Sequence, residues 1–269
     1  MKVRRLLDKQ QILPLLESDR LYAAYAIGDL ADGMFELCEW AVAENGRGAC
    51  ALAMIYNGLH TPVLFVMGAG VGIEALLSRA FRLPRAILTL RPEHSAAVSR
   101  LYRSSGMRSM WRMSVDRVTF HPAQAPARRL HAADIEELNT LYFWGGADYF
   151  TTAQLERGVY YACESDGHLV AAAGTHVVAP EYGVAAVGNV YTHPDYRKRG
   201  LATACTGAVT AELLDMGCQS VVLNVWQDNQ PALRAYGKLG FRVHCAFLEA
   251  SGQRMSAIDQ LLHRVVRPR

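Results

Sequence analysis

The run Arg197-Lys198-Arg199-Gly200-Leu201-Ala202 sets three cationic side chains ahead of a glycine and an apolar helix start. A turn of this kind aims several backbone N–H groups at one point, where the positive end of the helix dipole also lies. The chemistry it suits is binding of a pyrophosphate. Gly200 lets the backbone approach the anion closely, and Ala202 keeps the first helical turn free of bulk.

Such a loop needs a strand to hold it and a helix to charge it. Val187-Gly188-Asn189-Val190-Tyr191-Thr192 is rich in β-branched and aromatic residues and reads as the strand, while Ala202, Cys205, Val209, Leu213 and Met216 recur at helical spacing. Ser220-Val221-Val222-Leu223-Asn224-Val225 predicts a second strand. Asp228-Asn229-Gln230-Pro231 then joins a capping side chain to a first-turn proline. The helix it opens carries Ala232, Leu233 and Tyr236 and stops near Gly240, after which Phe241-Arg242-Val243 begins another strand.

In this order and spacing the chain resembles the GCN5-related N-acetyltransferase (GNAT) superfamily, and within it the FR47-like branch. Val190, Tyr191, Thr192, Pro194, the Arg197-to-Ala202 loop, Asn229, Ala232, Tyr236, Gly240 and Phe241 carry the resemblance, across about residues 185 to 245. It implies an α/β fold with a mixed α+β sheet and acetyl-CoA as acyl-donor substrate. The implied coenzyme-binding residues are Val190, Tyr191, Thr192, Arg197, Lys198, Arg199, Gly200, Leu201, Ala202, Asn229, Ala232 and Tyr236. The loop would grip the diphosphate, and Val190 and Thr192 would lend backbone groups to pantetheine as an added strand does. Asn229 would cap its helix or also touch the pantetheine. Gly188 to Thr192 and Ser220 to Val225 are expected to splay apart and hold the thioester between them. Tyr236 is implied as general acid, since a phenol stays neutral at pH 7 and can protonate the leaving thiolate. A backbone N–H near Val190, Tyr191 or Thr192 would meet the oxyanion.

The base is where the chain departs from many relatives. They carry a glutamate on the strand ahead of the loop, and Val184-Ala185-Ala186-Val187 offers no carboxylate. Glu181, Tyr182, His176 and His193 stand nearby, and His176 is the second expected catalytic residue, taking a proton from an ammonium through water. Other chemistries find no motif: G-x-S-x-G, H-E-x-x-H and G-x-x-x-x-G-K-[ST] are all missing. The nine histidines do not group with cysteine or carboxylate at ligand spacing, so no metal is expected. Cys205 lies near a helix start but on its apolar stripe and reads as core.

The chain has 269 residues, 51% hydrophobic and 20% charged, and a formal charge of +3, too little to indicate a nucleic-acid binder. Its six cysteines form no C-x-x-C pair, which suits reduced thiols in a cytosol. The basic N-terminus is interrupted by Asp8 and Lys9 before any apolar stretch, and the run from Val63 to Ile73 is too short to span a bilayer. The expected setting is cytoplasmic, without nucleic-acid or membrane partner, with a homodimer left open. The basic clusters Arg4-Arg5, Arg128-Arg129 and Arg264 to Arg269 read as solvated surface.

His121 to Ala127, rich in proline and alanine, is the clearest linker, dividing the chain into 1–120, 121–127 and 128–269. The later part reads as a strand at Arg128-Arg129-Leu130 and a helix through Ile135, Leu138 and Leu141 broken at Gly145-Gly146. Strands Val159 to Cys163 and Leu169 to Ala173 follow, joined at Asp166-Gly167, with further strand to about Val178 and a turn at Pro180 to Gly183. The earlier part repeats the later one: Tyr102 stands to Tyr236 as Gly106 stands to Gly240, and Ala86 to Leu90 stands to Ser220 to Asn224. This suggests two GNAT-like folds in tandem. Met67-Gly68-Ala69-Gly70-Val71-Gly72 replaces the basic loop there with bare glycines, marking that copy as degenerate and structural. The expectation is an acyl-CoA-dependent N-acyltransferase moving an acetyl group directly to a small-molecule amine. The alternative is a non-catalytic acyl-CoA-binding or regulatory module. Trp144, Tyr149, Phe150 and Tyr182 would line the acceptor pocket, with Asp148 or Glu181 drawing a cation.

Overall fold

The structure is a computed structural model and describes residues 1–145, 149–256 and 259. It forms two compact units, Met1–Met110 with the segment from Ala246 on, and Trp111–Cys245.

In the first unit the order is β1 (Lys2–Leu6), α1 (Lys9–Leu16), α2 (Ala24–Gly28), β2 (Cys38–Asn45), β3 (Gly48–Tyr56), β4 (Val63–Gly68), α3 (Gly70–Arg79), β5 (Arg85–Leu90) and α4 (Ser95–Ser99). β1 through β4 are successively antiparallel neighbours, and β5 runs parallel to β4. Helix α3 buries Ile73, Leu76 and Leu77 against Ala41, Ala53, Val66 and Leu88. The glycine stretch is built for that packing. A Cβ at Gly72 would stand 2.6 Å from that of Ala51, and one at Gly68 (φ +97°) would stand 2.4 Å from the Cys50 carbonyl oxygen. That oxygen also accepts the Ala69 N–H, at 2.8 Å.

Strand β6 (Tyr102–Val115) leads from the first unit into the second. There follow β7 (Arg128–Arg129), α5 (Ile135–Phe143), α6 (Thr152–Arg157), β8 (Tyr161–Ser165), β9 (His168–Ala179), β10 (Val184–Thr192), α7 (Leu201–Asp215), β11 (Ser220–Trp226), α8 (Gln230–Lys238) and β12 (Arg242–Arg254). β7 to β10 are antiparallel neighbours, and β11 runs parallel to β10. One face of this sheet packs Ala171, Ala185, Val187, Leu223 and Val225 against Cys205, Val209 and Leu213 of α7 and Tyr236 of α8. The other packs Ala162, Leu169 and Ala172 against Leu138, Leu141 and Tyr142 of α5 and Leu155 of α6.

The compact units differ from the expected contiguous segments at both seams. Met113, Val115 and Phe120 already belong to the second unit's core, and the His121 N–H donates to Leu239 O at 3.0 Å. The expected linker is therefore packed chain, with Ala123 against α7. At the other seam, Leu248 to Gln253 of β12 pair antiparallel with β5, and the Met255 N–H donates to Leu101 O at 2.9 Å. Hydrogen-bonding partners remote in sequence, not local composition, set these boundaries. In the sequence repeat, β4–α3–β5 answers β10–α7–β11, but Tyr102 starts strand β6 whereas Tyr236 lies inside helix α8. The stretches Leu169 to Ala173 and on to Val178 are one strand, β9. Gly146 and the Arg264 to Arg269 cluster lie outside the described residues. No helix among the described residues is long and apolar enough to cross a membrane.

Candidate active site

β10 and β11 pair from Val184↔Ser220 to Val187↔Leu223 and stop there, although β10 continues to Thr192 and β11 to Trp226. A bulge causes the parting. Gly188 pairs with Gly174 of β9 and Tyr191 with Ala172, so Asn189 and Val190 together face one residue, and Asn189 takes the left-handed φ of +53°. Strand β9 carries a bulge of its own, since Ala186 pairs with Val177 but Val187 with Thr175, leaving His176 between. Bulges bend a strand and re-aim a side chain. Here they aim two at each other.

His176 Nε2 lies 3.1 Å from Asn189 Oδ1. The Asn189 amide donates from Nδ2 to the Tyr160 hydroxyl at 3.1 Å, and that hydroxyl donates to Thr175 O at 3.3 Å. Thr175 Oγ1 accepts the Val159 N–H at 3.0 Å, and the Tyr142 hydroxyl donates to Asn189 O. With Tyr160 taking its amide hydrogen, Asn189 turns its oxygen to His176, which selects the Nε2–H form of the ring. Gly188 makes the seat for that ring, because a Cβ there would come within 2.3 Å of Nε2. The ring keeps an edge open to solvent, yet strand atoms crowd it. That crowding lowers its pKa, and the Asn189 bond pulls the other way. Burial raises the pKa of Tyr160, and raises that of Tyr142 well above the usual phenol range.

Tyr236 stands on the opposite face, among the core around Val187 and Leu223. Its ring centroid is 6.1 Å from that of Phe241, and burial pushes its pKa up to about 12. It therefore keeps its proton throughout the neutral range. Side chains alternate along a strand, so Gly188 and Asn224, the next residues after the last pair, face the His176 side. His176 and Tyr236 flank the opening from its two faces.

At the strand end, the backbone is extended at Arg197, and Lys198 (φ +66°) and Gly200 (φ +81°) adopt left-handed conformations on the way into α7. Gly200 is the helix N-cap and supplies no side-chain cap. The Ala204 N–H is the one that reaches Gly200 O, at 3.0 Å, so the amides of Leu201, Ala202 and Thr203 precede the helical ladder. Arg197 Nε donates to Thr192 O at 3.3 Å, and Arg199 donates to Asp195 O at 3.2 Å with its guanidinium 4.9 Å from the Tyr196 ring centroid. Arg197, Lys198 and Arg199 are exposed. Two polar atoms flanking the opening, Thr192 Oγ1 and Asn224 Oδ1, are buried without a hydrogen-bond partner. Left-handed turns, advancing amides and cations fit the diphosphate of an acyl-CoA, and the unfilled Thr192 oxygen at the loop end of β10 fits its amide-bearing arm.

Asn229 Oδ1 caps α8 by accepting the Ala232 N–H at 3.2 Å. Val190 and Ala232 are partly buried against the Tyr236 core, while the Tyr191 ring lies 6.3 Å from that of Tyr142. His193 is held between Trp144 and Tyr196, with ring centroids 5.8 Å from each. A cavity of about 320 Å³ opens beside them, lined in part by Glu137, Thr140, Trp144, His193 and Asp195. Phe150 is stacked 4.9 Å from Tyr142 and tied through its backbone to Asn139. Glu181 and Tyr182 precede β10, whose first residue Val184 is roughly 16 Å of strand from Asn189, so they do not join the site. Asp148 lies outside the described residues. Sequence reasoning missed Asn189, Tyr160 and Asn224 as functional candidates; the one signal was a polar residue within an apolar strand pattern. Among the described residues, no group of three or more His, Cys, Asp or Glu side chains is arranged to hold a metal ion.

Residues 126–241 match the sequence profile of the family described as Acetyltransferase (GNAT) family. Over 102 residues the chain is 35% identical to the mycothiol acetyltransferase of Tsukamurella paurometabola, a stretch covering 37% of this chain and 35% of that protein. The match thus spans about a third of the curated relative's length. A GNAT-family protein of Novosphingobium aromaticivorans shares the fold with a TM-score of 0.59 at 21% identity, covering 87% of this chain and 97% of the other. A tandem GNAT protein from the clavulanic acid biosynthesis pathway does so with a TM-score of 0.53 at 14% identity, covering 94% and 98%.

Proposed function

We propose, from the match of residues 126–241 to the GNAT acetyltransferase family, that the chain moves an acetyl group from acetyl-CoA to the amine of a small molecule. The observation that carries this reading is the parting of β10 and β11 after Val187↔Leu223, directly ahead of the glycine-capped cationic loop. The loop from Arg197 to Ala202 binds the diphosphate, and the unpaired edge of Val190 to Thr192 takes the pantetheine as a strand takes its neighbour. The acceptor nitrogen attacks the thioester carbon on the His176 side of the opening. A C–N bond forms and the C–S bond breaks. His176, neutral at pH 7, takes the proton the nitrogen sheds, directly or through water. On the other face Tyr236 gives its proton to the departing thiolate. An N–H of the bulge around Val190 meets the oxyanion.

The first unit serves as a degenerate structural copy, because its glycine stretch is occupied by helix–strand packing. Mycothiol belongs to the relative's name; for this chain the acceptor is proposed as a class, a small primary amine, in a cytoplasmic setting. The missing carboxylate on Val184 to Val187 favours a second reading, an acyl-CoA-binding module without turnover. Calorimetric titration with acetyl-CoA and a thiol-release assay over a primary-amine panel separate the two. Binding with amine-dependent release supports the transferase, binding alone supports the module, and no binding removes both.

A further inference from the structure

Two buried oxygens without partners flank the opening, and they lie at different depths. Thr192 Oγ1 is at the loop end of β10, where the pantetheine enters. Asn224 follows Leu223, the last residue of β11 to pair with β10, as Gly188 follows Val187 on the other lip. Leu223 and Val225 turn into the Tyr236 core, so the Asn224 side chain leaves by the opposite face. That is the face on which the His176 ring rests over Gly188. A carboxamide oxygen on one lip thus stands level with an imidazole on the other, at the depth where the strands first separate.

We infer that Asn224 is a positioning residue for the acceptor, its Oδ1 accepting an N–H of the attacking amine opposite His176. This rests on the transferase reading above. A buried oxygen without a donor is unfavourable until a donor arrives. An attacking primary amine brings N–H groups pointing away from its lone pair, so one bond to Asn224 aims the lone pair across the gap toward the thioester. As the nitrogen gains positive charge that bond strengthens, which places its effect in the transition state. An alcohol or a thiol uses its single hydrogen on the base and has none left for Asn224. The site so built selects amines. The Asn224 oxygen is distinct from the pantetheine contacts, which come from the β10 edge.

The test uses the full-length protein, acetyl-CoA and methylamine, which needs no pocket beyond the amine position. Asn224→Leu should lower kcat/KM for methylamine by roughly 10-fold or more, while the acetyl-CoA dissociation constant from calorimetry stays within about 2-fold. Asn224→Asp keeps an oxygen at the same place and should stay within about 3-fold of wild type, which a merely structural role for the side chain would not predict. Unchanged methylamine kinetics in Asn224→Leu overturn the inference and leave the transferase reading standing. Weakened acetyl-CoA binding in proportion to the lost rate also overturns it, since the oxygen would then serve the pantetheine. Wild-type protein that binds acetyl-CoA but shows no methylamine-dependent thiol release overturns it too, and wild-type protein that binds no acetyl-CoA takes the transferase reading down with it.

Discussion

His176 and Asn189 stand in facing bulges of β9 and β10, and their side chains meet at 3.1 Å across the strand pair. Two irregularities in neighbouring strands thereby become one device. The bulge in β10 parts it from β11, and the bulge in β9 brings a titratable ring to the parting. Gly188, lacking a side chain, lets the ring lie down.

Gly188→Ala should therefore displace His176 without touching the loop. Turnover is expected to fall by about 10-fold to 100-fold, the scale of a lost proton-transfer group, with acetyl-CoA affinity unchanged. Steady-state kinetics paired with calorimetry check this, and wild-type turnover would show that the ring's position is immaterial.

The acid side of the pH profile should report His176. Crowding holds its pKa below the usual histidine value, so kcat/KM should fall only as pH drops beneath about 6.5. The Asn189 bond favours the charged ring, so Asn189→Ala should move that limb to lower pH still. The same shift has a stability consequence. Below about pH 6.5 the unfolded chain takes up a proton that the folded ring resists, so stability falls with falling pH across that window. Melting temperatures of wild type and His176→Gln between pH 5 and 8 measure it, and the variant should show the shallower decline.

In the proposed mechanism the phenol acts on the leaving sulfur rather than on the bound ground state, so Tyr236→Phe should cut kcat by about 100-fold and leave acetyl-CoA binding intact. With its pKa near 12, Tyr236 should contribute no basic limb to the profile below pH 10. Equal turnover in the variant removes it from the mechanism.

Arg197→Ala combined with Gly200→Glu should weaken acetyl-CoA binding by about 10-fold or more, through a lost cation and an added anion at the helix start. Gly200 at φ +81° also disfavours any side chain, though space beside it is open. Calorimetry reads the loss, and undiminished affinity would place the diphosphate elsewhere.

In the first unit, Asp29 is buried at the end of α2 and its pKa is raised to about 7 by burial. The folded state holds a proton that the unfolded chain releases near pH 4, so the group erodes stability as pH rises from about 4 to about 7, and the loss then levels off. Asp29→Asn should raise the melting temperature at pH 8 and do little at pH 4, an effect of order a few kcal/mol at most. Chemical denaturation at the two pH values decides it, and a destabilised variant at pH 8 would contradict the assignment.

The sequence alone determined what local spacing can encode. The 3.6-residue periodicity from Ala202, the cap at Asn229 with Pro231, the Asp166-Gly167 turn and the glycine ahead of Leu201 each place an element within a few residues of where it folds. Such signals arise from side chains and backbone acting within one or two turns. Tertiary structure decided the rest, because register and exchange depend on partners far along the chain. Nothing in Thr175-His176-Val177 or Gly188-Asn189-Val190 announces a bulge, since a one-residue offset exists only between two strands. The proline-rich stretch before Arg128 reads as a linker until Leu239 accepts a hydrogen bond from it, and Leu248 to Gln253 of β12 join the first unit because β5 offers them an edge. Asn224 was one polar letter in an apolar strand. The burial of its Oδ1 without a partner, on the His176 side of two parting strands, is a property of the fold.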